Sequence, residues 1–139
     1  MDESILFLFL AVLIVAILLF AVVTFTKNSP KRLNVEKYRV KWLSIERLLK
    51  KDDTYSCQLA ILNADKLVDY ALRERGTKGQ TMGERLKVAK DVFSDNNAIW
   101  SAHKLRNKIA HEPDVSVSYD QVRRALSGFK QALKDLGAI

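Results

Sequence analysis

Hydrophobic positions run along this chain in two different ways. Ile5–Phe25 (ILFLFLAVLIVAILLFAVVTF) is continuously apolar except for Thr24 and carries no charge. Its 21 residues would form a helix about 31 Å long, the thickness of a bilayer's hydrocarbon core. Beyond it the apolar residues are spaced at helical intervals. Val35, Tyr38, Trp42, Ile45 and Leu49 repeat at steps of three and four, which predicts a helix from about Val35 to Lys51 with one seam for a core or a second chain. Asp52-Asp53-Thr54 interrupts this pattern and can cap a second helix, about Tyr55 to Arg75, whose stripe is Cys57, Ala60, Ile61, Ala64, Leu67, Val68 and Ala71. Gly76–Gln80 is a glycine-punctuated loop. Thr81 and Glu84 have capping-box spacing, followed by Met82, Leu86, Ala89 and Phe93 on one face.

Ser94-Asp95 turns the chain into Asn96–Glu112, where Ala98, Ala102, Leu105 and Ile109 make the apolar stripe. Asn96 or Asn97 can cap this helix, and Pro113 ends it by pushing Glu112 out of the α region. Ser118 and Gln121 give a second capping box before Val122, Ala125, Leu126, Phe129, Leu133 and Leu136, with Gly137 placed as a stop. No segment alternates at period two. The pattern predicts an all-α chain, with one N-terminal transmembrane helix followed by a small bundle of about five helices. Three regions result: an anchor over 1–26, a basic juxtamembrane linker over 27–34, and a helical bundle over 35–139.

Charge gives the anchor a direction. Asp2 and Glu3 precede the apolar run, and Lys27, Lys31, Arg32, Lys37, Arg39 and Lys41 follow it. The positive-inside rule then places the N-terminus outside and the bundle in the cytoplasm, in a single-pass protein of the plasma membrane. A cleaved signal peptide is the competing reading. It wants a basic start, a shorter apolar run and a small-x-small site, whereas Met1–Ser4 is acidic and Ala21–Thr26 offers no such site. The linker is too short to let the bundle roam far from the membrane. All 23 Lys and Arg, but only 14 of the 16 acidic residues, lie at or after position 27. Such a balance suits anionic lipid or a polyanion such as RNA. The lone Cys57 cannot form an intrachain disulfide and reads as a small buried residue.

Candidate chemistry is confined to the Asn96–Glu112 helix. At about 100° per residue, His103, Arg106, Asn107, Ala110 and His111 gather roughly opposite the apolar stripe. One cysteine and two histidines make no usual zinc site. Gly76, Gly79 and Gly83 lack the spacing and ending of a phosphate loop. No serine stands in a nucleophile motif.

The stretch Arg106-Asn107-Lys108-Ile109-Ala110-His111 resembles the signature of HEPN domains, small all-helical bundles. Their mark is an arginine with a polar residue after it, then a histidine a few residues on. Here four residues separate Arg106 from His111, and Asn107 fills the polar slot. The resemblance covers about Val35–Leu136. It implies one of two things: a metal-independent endoribonuclease of toxin or defence type, or a module without activity that binds nucleotide, RNA or a regulatory protein. In the active case two copies of the motif meet at a dimer cleft, so a homodimer through this helix is expected. No cofactor or metal is implied.

The residues suit that chemistry. Cleavage of RNA without metal needs proton transfer at the 2′-OH and at the leaving oxygen, with a cation beside the phosphorane. Arg106, Asn107 and His111 are the catalytic candidates: guanidinium on phosphate, amide orienting the ring or touching phosphate, imidazole moving the proton. His103, Lys104 and Lys108 are candidates for contacts to RNA. A purely structural alternative stands beside this. There His111 complements the helix C-terminus, Arg106 pairs with an acid on a neighbouring helix, Asn107 ties down a loop, and the domain is only an anchored scaffold.

Overall fold

A computed structural model describes residues 2–27 and 29–139. Met1 and Asn28, which the sequence reading assigned to the anchor and the linker, lie outside the described residues. The described residues form six helices and no strand: α1 (Glu3–Lys27), α2 (Val35–Leu48), α3 (Thr54–Glu74), α4 (Met82–Val88), α5 (Asn96–His111) and α6 (Tyr119–Asp135). The chain divides into two units, Met1–Pro30 and Lys31–Ile139.

The first unit is one helix. Over Glu3–Thr26 it is long and apolar enough to cross a membrane, and its large side chains, such as Phe20 at 72 %, are exposed.

In the second unit α3 is the central element, packed against α2, α4, α5 and α6, while α5 also packs on α6. Its inward stripe is the expected one, with Cys57, Ala60, Ile61, Ala64, Leu67, Val68 and Ala71 all buried. Tyr38, Trp42 and Ile45 of α2 and Val122, Phe129 and Leu133 of α6 close over it. Short links make α2 and α3 antiparallel: Lys37 near the start of α2 meets Glu74 at the end of α3.

Local signals set the helix ends, with three departures from expectation. The Asp53 side chain accepts from the amides of Tyr55 and Ser56, and Ser118 and Gln121 make a reciprocal capping box. Gly137, at φ +70°, lets the amide of Ala138 reach the Leu133 carbonyl and its own amide the Lys134 carbonyl, a Schellman stop. The first departure is α2, which stops at Leu48 rather than near Lys51. Leu49 turns to extended backbone, and the Lys50 amide and carbonyl bond Ser56 and Cys57 of α3 instead. The second is the cap of α5, which is Asp95 and not Asn96 or Asn97: its carboxylate accepts from the Ala98 amide at 2.9 Å, an anion at a positive helix end. Asn96 instead donates to the Lys90 carbonyl. The third is Glu84, which accepts from the amide of Gln80, one residue before its expected partner.

Candidate functional site

The expected apolar stripe of α5 was Ala98, Ala102, Leu105 and Ile109. The helix is in fact rotated so that Ile99, Ala102 and His103 are its buried residues, with Leu105 and Ile109 only half-buried. The cause lies on both sides of the helix. Toward α6, Gly128 sits so close that a Cβ there would meet the Ala98 carbonyl oxygen at 2.9 Å. Toward α3, a carboxylate receives the imidazole. His103, read from the sequence as part of a solvent-facing polar side, is therefore 8 % exposed and faces the core.

Asp65 of α3 is the receiving group. It too is buried, and its Oδ1 lies 2.7 Å from His103 Nδ1. The polar pattern continues along α5. Arg106 Nη1 donates to Asn107 Oδ1 at 2.9 Å, and Asn107 Nδ2 lies 3.3 Å from His103 Nε2. Arg106 Nε stands 3.3 Å from Asp65 Oδ2. These four contacts close a ring: Asp65, His103, Asn107, Arg106 and back to Asp65.

Donor and acceptor directions follow from the end with no choice. A guanidinium only donates, so the Asn107 oxygen faces Arg106 and its NH₂ faces the ring. His103 Nε2 then accepts, and Nδ1 carries the hydrogen donated to the Asp65 carboxylate. The last link differs in kind. Arg106 Nε is buried, and its approach to Asp65 is too poorly aligned for a hydrogen bond, so charge alone closes the ring. Both imidazole nitrogens of His103 are thus engaged, which makes it a positioning group whose proton-transfer positions are occupied.

The ring lines a cleft of about 1080 Å³ between α3, α4 and α5, to which Gly83, Lys87, Trp100 and Lys104 also contribute. Trp100 meets His103 edge to face, with ring centroids 6.0 Å apart. A Cβ at Gly83 would stand 4.0 Å from His103 Nε2 and 3.8 Å from the Trp100 ring, so the missing side chain leaves that wall open. Below it the buried Arg85 pairs with Asp69 at 2.7 Å and donates to the Gly79 carbonyl, which ties the loop before α4 to α3.

The sequence-predicted site residues separate into three places. Arg106, Asn107 and His103 share the cleft, where the Arg106 side chain is 35 % exposed. Lys104 borders it, but also borders a groove of about 820 Å³ between α5 and α6, which Lys108 lines together with Arg124. His111 is the last residue of α5, exposed and outside the lining of either hollow. Five residues after Arg106, it is about 140° around the helix and about 7.5 Å along it. The described residues contain no cluster of three metal-ligating side chains.

Sequence reasoning missed Asp65. Its signal was an acid set among the stripe residues of α3, between Ala64 and Leu67 as Asp69 is between Val68 and Ala71, where a carboxylate is retained only with a partner. Compared with family models, curated proteins and solved structures, the chain matches none of them.

Proposed function

We propose that this chain is a membrane-anchored, HEPN-like module that binds RNA or a nucleotide through phosphate, with the bundle on the cytoplasmic side. The observation that carries this is Arg106. Asp65 and Asn107 hold its guanidinium in place, a third of the side chain stays open, and the cleft it borders is edged by Lys87 and Lys104. A forked donor fixed before the ligand arrives loses little freedom on binding a phosphate. Full-length protein in detergent should bind a short single-stranded RNA with an affinity that falls steeply with salt. Arg106→Lys, which keeps the charge but not the fork, should weaken binding about tenfold or more, a loss of one charge-assisted contact. Equal affinity for wild type and Arg106→Lys would remove this site.

Metal-independent cleavage is the second reading, and the observation favouring it is His111. It is exposed at the helix end with no hydrogen-bond partner among the described residues, whereas the His103 ring is fully engaged. One protomer offers one free imidazole, so two-proton chemistry needs a second copy of α5. Cleavage in the presence of EDTA that His111→Ala abolishes, while RNA binding and the melting curve stay unchanged, is the expected result; products of undiminished yield from His111→Ala would leave only binding.

A further inference from the structure

One end of the bundle carries a basic surface that shares only Lys66 and Arg73 with the cleft. The chain enters the second unit there: the Lys31 amide donates to the Arg75 carbonyl at 3.3 Å, beside the start of α2 and the end of α3. Next to this junction Lys37, Lys41, Tyr70 and Arg73 wall a shallow hollow of about 520 Å³. Tyr70 is 41 % exposed, with the ammonium groups of Lys41 and Lys66 each 5.7 Å from its ring centroid. Glu74 offsets Lys37 and Asp69 offsets Arg73. Lys41 and Lys66 have no carboxylate within ion-pair distance among the described residues, and Lys31 and Arg32, both exposed, add two more cations.

We propose that this end of the bundle is a docking surface for anionic lipid head groups, on the bilayer that receives α1; the proposal rests on reading α1 as a membrane anchor. Three things select lipid over another polyanion. A half-exposed tyrosine between lysines is the combination that suits a head-group layer, with an apolar ring body, a wet hydroxyl and charges that reach outward. The hollow is shallow, and its one forked donor, Arg73, already has Asp69 as its counter-charge. Only three residues separate Lys27 from Lys31, so chain length alone holds the entry point within about 15 Å of the end of the apolar helix. The surface potential of an anionic leaflet acts over about a Debye length, roughly 8–10 Å, so this end is the part of the bundle that the chain keeps nearest to that field.

The test uses full-length protein in nanodiscs of phosphatidylcholine, with or without about 30 % phosphatidylserine. Lysine reactivity toward an acylating reagent is read by mass spectrometry. Lys37 and Lys41 report on the surface, since Lys66 also borders the cleft; Lys108 and Lys134 are controls. The expected result is labelling of Lys37 and Lys41 that is roughly fivefold slower in the anionic discs and recovers at about 0.5 M salt, with the controls unchanged. Equal labelling in both lipids overturns the proposal and leaves the anchor standing. Protection by added single-stranded RNA but not by anionic lipid also overturns it, in favour of a nucleic-acid surface. Failure of the anchor reading is seen separately, as protein that does not float with neutral vesicles after a carbonate wash, and it removes this proposal too.

Discussion

Asp65 is the residue on which the polar interior of the bundle turns. It is a buried carboxylate held between an imidazole and a guanidinium. Removing it leaves the buried His103 N–H without an acceptor and the part-buried Arg106 without its counter-charge. Asp65→Ala should therefore cost about 2–4 kcal/mol, read as a melting midpoint of full-length protein in detergent lowered by roughly 10 °C or more. The cause is checked with His103→Ala and the double variant: a coupling of about 1 kcal/mol or more identifies the pair, and simple additivity would show that the ring is not a unit. Arg106 presents a different case. Its link to Asp65 is an ion pair without a hydrogen bond, so its replacement should weaken phosphate binding more than it lowers the midpoint.

At the scale of elements, the pairing of α5 with α6 is set by a glycine. A Cβ on Gly128 would lie 2.9 Å from the Ala98 carbonyl oxygen and 3.1 Å from its carbon. Both are backbone atoms, which cannot swing aside. Gly128→Ala gains helix propensity but forces the two helices apart, and overpacking of this kind costs about 1–3 kcal/mol. The expected outcome is a lower melting midpoint; an unchanged or raised one would mean the helices separate freely. This contact also marks where legibility ended. The apolar stripes of α3 and α6, the caps at Asp53 and Ser118 and the stop at Gly137 were readable, because each depends on residues within a few positions of one another. The rotation of α5 was not. It depends on Gly128 and Asp65, which are far from α5 in sequence and meet it only once α3, α5 and α6 have packed. The apolar residues of α5 could be placed on either of two overlapping faces, and the tertiary partners decided. Arg106 and Asn107 were found from their motif, whereas the ring that positions them was visible only as one of two acids set among the stripe residues of α3.

For the molecule as a whole, a few titrating groups define the pH range of stability. The Lys130 ammonium, then the Trp42 N–H, hold the Glu46 carboxyl below its ordinary range. Burial pushes Asp135 up, but the Ser94 amide and hydroxyl with Gln131 outweigh it and leave the carboxyl lowered. Carboxyls lowered by folding stabilise above their unfolded values, near pH 4, and that contribution is lost as pH falls through the folded ones. Burial, with Glu74 adding to it, raises the Tyr38 hydroxyl, and burial, with Asp53 adding to it, raises the Cys57 thiol. Those contributions are complete below the unfolded values, about 8.5 for Cys and 10 for Tyr, and fade as pH rises beyond them. The melting midpoint should thus be flat from about pH 5 to 8 and fall on both sides. Asp135→Asn should lower the midpoint at neutral pH and flatten the acid limb; an acid limb as steep as the wild type's would assign it to other carboxylates.

The packing of α6 on α3 has a consequence for the order of events at the ribosome. Elements emerge in chain order, so α1 is made first, while the buried face of α3 lacks its main cover until α6 has been synthesised. Over that interval Ile61, Val68 and Leu72, fully buried in the finished bundle, have only α2, α4 and α5 to shelter them. The apolar helix can thus meet a membrane before the bundle behind it has a core. A chain interrupted before α6 would leave the surface of α3 open to aggregation.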